Sequence, residues 1–439
     1  MNRLRGLAAL GAMLVLLAGP AGAAGSDTRA TAVLQDWYGL VLQLVRHTPT
    51  YSPPVASRSF AYLGVGAYEA VASGRPEMTS LAGQLNGLRV VPERSAGVDY
   101  DEAVILHAVL SQGVRDFFGN TGPMGQRAMG VATERFAAAA HEGVSEAVIA
   151  RSQAYGAELA AHILAWSETD GALPIVNMGF PLEYAFGTQE GNWVPTSLVQ
   201  QQQMPLLPAW GEVRPFAMAH GGACPLPPPP AYSAEEGSEF HRQAMEVYET
   251  VRNLTDEQRA IARFWSDDPM LSPTPPGHWI AIVLQIFERD RPDVTFRADT
   301  LARLAIAMAD SFIACWHAKY EYDLLRPVTY IRRHIDPDWQ PLLVTPPFPE
   351  YPSGHSSQSG AAATVLTAVF GADFAFTDAT HERDGLPARP YASFWQAAEE
   401  AAMSRLYGGI HFRAANERGL DQGRCIGGHA VALNTLARP

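Results

Sequence analysis

The chain has 439 residues, 47% of them hydrophobic, and a formal charge of -13. That length exceeds one average domain and can bury a sizeable core, arranged as two helical halves around one site or as two packed domains. The acidity argues against nucleic acid and anionic lipid as partners, so a local cluster of cations stands out.

Residues 1–23 have the pattern of an export signal: Arg3 and Arg5, an apolar run from Leu7 to Ala18, then Pro20 and an Ala21-Gly22-Ala23 sequence suited to cleavage after Ala23. Removing the two arginines takes the charge from -13 to -15, and a periplasmic or secreted location is expected. Beyond the leader no segment offers about 18 uninterrupted apolar residues, so no transmembrane segment is expected in the mature chain. Three cysteines, Cys224, Cys315 and Cys425, are too few and too scattered for a disulfide scaffold or a zinc site. One disulfide would suit an exported chain, with its pairing left open.

Helical periodicity dominates the mature chain, and strand alternation is nearly absent. In residues 24–170, Val33, Trp37, Leu40, Val41 and Leu44 form one apolar stripe. Helical patterns recur near 55–72, 99–117, 127–140 and 144–167. Residues 171–232 change texture to proline, glycine and glutamine, which cannot sustain long helices. They are expected to form an irregular crossover, held on the bundle by Trp193, Trp210 and Phe216. Helices resume in residues 233–439, near 233–250, 255–266, 276–288, 297–325, 353–370, 392–407 and 412–435. The expected fold is all-α, built of helical bundles with the site in the C-terminal one.

Three motifs in that last part describe a pocket for a tetrahedral oxyanion. In KYEYDLLRP, Lys319 and Arg326 are seven residues apart, about 700° around a helix, which returns to within roughly 20° of one face. Trp316, Tyr322 and Asp323 are expected on that face as an aromatic wall and a counter-charge, with Pro327 ending the helix. In PFPEYPSGH, three prolines stiffen the approach to a helix capped by Ser353. The free backbone N–H groups and the dipole of that helix would face an anion. Gly354 leaves room for its approach, and His355 stands within reach for proton transfer. In SRLYGGIH, Arg405 ends a helix whose inner face carries Phe394, Ala398 and Ala402. A continuous helix would set Arg405 and His411 about 240° apart; the break at Gly408-Gly409 allows both to aim at one point. Ala415, Gly419, Gly423 and Gly427 then repeat every four residues, a smooth stripe suited to close packing by a neighbouring helix. Each isolated feature has a bland explanation, such as helix capping, a solvated basic helix end or a core imidazole. Their coincidence does not.

These residues resemble the vanadium-dependent haloperoxidase family of the type 2 phosphatidic acid phosphatase superfamily, whose pattern is Lys-x6-Arg-Pro, Pro-Ser-Gly-His, then Ser-Arg-x5-His-x3-Asp. All but its last residue occur here in order, and weaker similarity extends through FWSDDP, PPGHW and the segment from WVPT to WGEVRPF. The resemblance implies that Lys319, Arg326, Ser353, Gly354 and Arg405 hold the oxygens of vanadate, a site phosphate can also occupy. It further implies that His411 is the axial vanadium ligand through Nε2, that His355 is the acid-base group, that Lys319 polarises bound peroxide, and that Trp316 and Phe348 stand beside the halide. The family aspartate is Ala415 here. His411 must therefore find another acceptor for its Nδ1–H, a backbone carbonyl or a water, and weaker vanadate affinity is expected.

The implied activity is vanadate-dependent oxidation of halide by hydrogen peroxide to hypohalous acid. A rival on the same residues is an exported acid phosphatase, in which His411 attacks a phosphate ester and His355 protonates the leaving group. A third, motivated by Ala415, is a non-catalytic oxyanion-binding protein of the envelope.

Overall fold

The structure is a computed structural model that describes residues 25–176, 179–197 and 203–435, so the leader lies outside the described residues. The described chain forms α1 (Ser26–Arg46), α2 (Pro53–Ala72), α3 (Glu102–Phe118), α4 (Pro123–His141) and α5 (Glu146–Ser167). Next come a short turn of helix, α6 (Leu173–Val176), then α7 (Glu239–Arg252), α8 (Asp256–Phe264), α9 (Thr274–Asp290), α10 (Val294–Tyr322), α11 (Pro327–His334), α12 (Gly354–Phe370), α13 (Phe394–Tyr407) and α14 (Arg413–Val431). An antiparallel hairpin, β1 (Phe376–Asp378) and β2 (Arg389–Tyr391), joins α12 to α13.

Helix starts obey local chemistry. Asp101, Ser238, Thr255, Asp293, Ser353 and Ser393 each accept a first-turn N–H at the head of their helices. On α1 the stripe Val33, Trp37, Val41 and Leu44 is buried, as its spacing requires. α2 and α10 run through the centre; where they cross, a Cβ on Gly64 would lie 3.2 Å from Ala302 Cα. α10 is long and apolar enough to cross a membrane by length and composition, but 89% of that window is buried inside the protein, so its apolarity is consumed by packing.

The crossover is irregular and lies along α10. Trp193, Trp210 and Phe216 are all buried. The Asp310 carboxylate of α10 accepts the backbone N–H groups of Phe216, Ala217 and Met218 at 2.6, 2.9 and 3.0 Å. Cys224 of the crossover is disulfide-bonded to Cys425 of α14, and Cys315 is free and buried.

Two local expectations fail. Pro327 does not simply stop a helix; it sits at the first position of a new one, α11, where its missing N–H costs nothing. The β1/β2 hairpin has no counterpart among the expected elements, because strands of three residues carry too little alternation to be read.

The small-residue stripe seats α14 on α12. A Cβ on Gly419 would lie 2.9 Å from the Ser353 carbonyl, one on Gly427 2.8 Å from the Ala361 carbonyl, and one on Gly423 would intrude on the Ser357 carbonyl. Backbone oxygens cannot move aside as a side chain can. Gly423→Ala should therefore lower stability by about 1–3 kcal/mol despite alanine's better helix propensity, read as a shift in the urea midpoint; an unchanged midpoint would show that the two helices are not in backbone contact.

Candidate active site

Four segments converge at the N-terminal end of α12: the last turn of α10, the loop 346–353, the C-terminal turn of α13 and the turn before α14. The Lys319 ammonium is fully buried and donates to the carbonyls of Pro349, Glu350 and Pro352 at 2.9, 2.9 and 2.5 Å, so it knots the loop onto α10. Arg326 is not on that helix. α10 ends at Tyr322, Asp323 is left-handed at φ 42°, and Arg326 is the extended residue ahead of α11. Arg326 therefore comes to Lys319 through the helix break at Asp323 and not on a shared helical face. Arg326 Nε donates to Phe348 O at 2.8 Å, and Nη1 donates to Ile410 O at 2.9 Å and faces His411 Nε2 at 3.1 Å.

Asp323 and Tyr322 also leave the expected face. The Asp323 carbonyl accepts the Trp193 N–H, and the Tyr322 hydroxyl donates to Leu226 O. The carboxylate that faces Lys319 and Arg326 is instead Glu350, fully buried. Its Oε1 accepts His411 Nδ1–H and the Phe412 N–H, both at 2.8 Å. This corrects the expected backbone or water acceptor: the carboxylate absent at Ala415 arrives from the loop before α12. Ala415 is itself buried, and its carbonyl accepts the Ser353 N–H. With Nδ1–H committed to Glu350, His411 presents its Nε2 lone pair to the pocket, the atom a metal would need. Glu350 is visible in sequence as the one acid of PFPEYPSGH.

Ser353 Oγ accepts the Ser356 N–H at 3.3 Å, leaving its hydroxyl proton free. The N–H groups of Gly354 and His355 are the first two of α12, which a helix leaves without internal partners. Arg405 Nη1 donates to Trp265 O at 2.8 Å. Within the site the buried Arg326 Nη2, Arg405 Nε, His355 Nε2 and Glu350 Oε2 have no hydrogen-bond partner among the described residues. Gly354, His355, Arg405, His411, Trp316 and Phe348 line a cavity of about 540 Å3, while Lys319, Arg326 and Ser353 lie fully buried behind it. The Trp316 and Phe348 rings pack 4.9 Å apart, with the Lys319 ammonium 5.1 Å from the Phe348 centroid.

Burial governs the electrostatics. It pulls Lys319 down to about 7, and Arg326 and Arg405 each to about 10. Burial, then the neighbouring cations, hold His355 and His411 well below the usual imidazole range. Glu350 is pushed up to about 7 by burial. Three desolvated cations, of which Arg326 and Arg405 keep an unused donor, a helix N-terminus and an imidazole Nε2 whose one neighbour is the Arg326 guanidinium fit a compact multivalent oxyanion such as vanadate or phosphate.

Fold and pocket together define an all-α oxyanion enzyme of the haloperoxidase and phosphatase kind. Residues 299–437 match the family model for the VCPO second helical-bundle domain. A stretch of 129 residues is 32% identical to vanadium chloroperoxidase of Curvularia inaequalis, spanning 24% of this chain and about a fifth (21%) of that protein's length. The crystal structure of the first bacterial vanadium-dependent iodoperoxidase superposes with a TM-score of 0.84 at 38% identity, covering 93% of this chain and 97% of that one. A holo-type bacterial vanadium-dependent chloroperoxidase shares the fold at a TM-score of 0.67 and 16% identity, covering 88% and 93%. The chain belongs to the vanadium-dependent haloperoxidase family.

Glu350→Gln should weaken vanadate binding about 10- to 100-fold, and Ala415→Asp should not strengthen it, since the Nδ1 acceptor is already supplied; quenching of tryptophan fluorescence by orthovanadate measures both. Wild-type affinity in Glu350→Gln would remove Glu350 from this role.

Acidity should modulate the same binding. Lys319 is depressed in the fold from its ordinary 10.5 to about 7. The unfolded chain takes up that proton first, so stability falls as pH drops from about 10.5 to about 7 and changes no further below that. A bound oxyanion favours the ammonium, and Glu350 gains charge as pH rises through about 7. Both act in one direction. Orthovanadate should raise the melting temperature more at about pH 6 than at about pH 9, and equal shifts would contradict this account.

Proposed function

We propose that this enzyme is a vanadate-dependent haloperoxidase, consuming hydrogen peroxide, halide and a proton to give hypohalous acid and water. The observation that carries the reading is His411: its Nδ1–H is fixed by Glu350, and its Nε2 lies 3.1 Å from Arg326 Nη1, beside the buried Arg326 Nη2 and Arg405 Nε that have no partner among the described residues. His411 would bind vanadium through Nε2, and Lys319, Arg326, Ser353, Gly354 and Arg405 would hold the oxygens. Bound there, vanadate supplies Lewis-acid activation of peroxide at one oxidation state.

His355 moves the proton. Its Nε2 is shut off from solvent while the side chain is 14% exposed, so exchange with substrate falls to Nδ1. That atom takes a proton from peroxide and returns one to the departing oxygen. Lys319, held by three carbonyls, keeps the loop and its donors in register while adding positive charge behind the peroxide. Trp316 and Phe348 give the halide an apolar wall beside these cations. Iodide is the halide we expect to react most readily, because the iodoperoxidase is 38% identical to this chain over 93% of it, against 16% for the chloroperoxidase.

We also propose that the protein is exported, to the periplasm or outside the cell. The leader-like residues 1–23 and the Cys224–Cys425 disulfide both support an oxidising compartment.

The test uses protein purified without phosphate. Peroxide-dependent oxidation of iodide should appear only after orthovanadate is added, be competed by phosphate, and be lost in His411→Ala and His355→Ala proteins that remain folded. Phosphate-ester hydrolysis by the vanadate-free protein, with no halide oxidation after loading, would instead establish the phosphatase chemistry.

A further inference from the structure

Beside His355 stands a second set of titratable side chains, centred on Asp267, which lines the same cavity but is given no role in holding the oxyanion. Asp267 lies between α8 and α9, buried, at φ 48°. A non-glycine residue holds that left-handed conformation only when its surroundings enforce it. Its carboxylate is the meeting point of three imidazoles. His278 Nδ1 is 3.0 Å from both oxygens, His381 Nε2 is 3.3 Å from Oδ1, and His355 Nε2 is 3.8 Å from Oδ2.

The first two imidazoles are anchored on their far sides. His278 Nε2 meets Asp378 at 2.8 Å, and the ring stacks on Trp265 with centroids 4.5 Å apart. His381 Nδ1 meets Asp384 at 3.1 Å, and Asp384 pairs with Arg46 of α1 at 2.5 Å. Burial alone would raise the Asp267 pKa, but His278 and His381 hold it well below the usual carboxylate range. Asp267 is thus a fixed, ionised carboxylate whose remaining neighbours are the unpartnered Nε2 of His355 and the Arg405 guanidinium. The other charged or titratable groups facing His355 are Arg405 of α13 and His278 of α9, with His411 nearby ahead of α14. Asp268 faces Arg405. The Trp265 carbonyl also stands beside the His355 ring.

We propose that Asp267 is a positioning residue for His355: clamped by His278 and His381, it holds the proton of the neutral imidazole on Nε2 and so leaves the Nδ1 lone pair facing the oxyanion pocket. A small rotation brings 3.8 Å to hydrogen-bond length, a tightening common once substrate is bound. In turnover the peroxide O–H bond breaks, its proton bonds to His355 Nδ1, and the imidazolium stays paired with Asp267. The same proton then leaves Nδ1 for the departing oxygen, and Asp267 stays ionised throughout. An aspartate used this way on a catalytic histidine is worth several orders of magnitude in rate, because the amide analogue selects the wrong tautomer.

The proposal rests on the haloperoxidase reading for its kinetic arm only. In vanadate-loaded protein, Asp267→Asn should lower kcat for iodide oxidation about 10²- to 10⁴-fold, with the KM for peroxide and the affinity for vanadate within about threefold. Placed in His355→Ala, it should cost nothing further. The second arm needs no activity: nitrogen-15 NMR of the His355 ring in vanadate-free protein should show the Nε2–H tautomer in wild type and its loss in Asp267→Asn. If Asp267→Asn does not fold, His381→Gln frees one flank of the carboxylate and should give a smaller loss that also vanishes in His355→Ala. An unchanged tautomer, a loss that persists in the His355→Ala background, or a stoichiometric divalent metal held by Asp267, His278 and His381 would each overturn the proposal.

Discussion

The site depends on the cost of placing three cations where water cannot reach them. Lys319, Arg326 and Arg405 are buried, and two of the acids around them serve other partners: Glu350 bonds His411 and the Phe412 N–H, and Asp267 is bound by His278 and His381, while Asp268 faces Arg405. The cations persist because backbone carbonyls solvate them. Lys319 uses three, Arg326 two and Arg405 one at short range. Carbonyls soften a positive charge without cancelling it, which preserves the attraction for a mobile anion. The irregular loop 346–353 supplies four of these six oxygens, from Phe348, Pro349, Glu350 and Pro352, and a helix there would have spent them on its own N–H groups.

Everything else keeps those segments from drifting. α12 must end its dipole at the pocket, and α14 must deliver His411 beside it, so the two helices touch backbone to backbone along Gly419, Gly423 and Gly427. α10 carries Lys319 on one side and, through Asp310, binds the crossover on another. The long irregular segment is thereby part of the packed body. Its prolines forbid helix, but its amides are still satisfied by a buried carboxylate.

Much of this is legible in the sequence, and the exceptions share one cause. Long amphipathic helices, the capped start of α12 and the glycine stripe are written in local periodicity and side-chain size. Arg326 reaches the pocket as helix phase requires, yet by another route. The left-handed turn at Asp323 undoes the helix before the phase applies, and nothing local in KYEYDLLRP distinguishes a kinked end from a continuous one. Glu350 stands out as the one acid of PFPEYPSGH, but its pairing with His411 is not legible because the two are 61 residues apart, and a missing aspartate draws attention to α14 and away from the loop. Asp267, His278 and His381 come from three separate elements, and only the fold reveals that they meet.

The displaced carboxylate has a further consequence. An acid four residues along α14 would travel with the histidine it orients, so that one helix would carry a complete ligand unit. Here the unit is split between two segments that meet only in the finished tertiary structure, with Lys319 gripping the same loop from a third. Transplanting α14 with the turn that carries His411 into another bundle would deliver an imidazole without the carboxylate that orients it. Cofactor capture by this chain is therefore a reporter of complete assembly: a half-folded molecule has the ligand but not the orientation that makes it one.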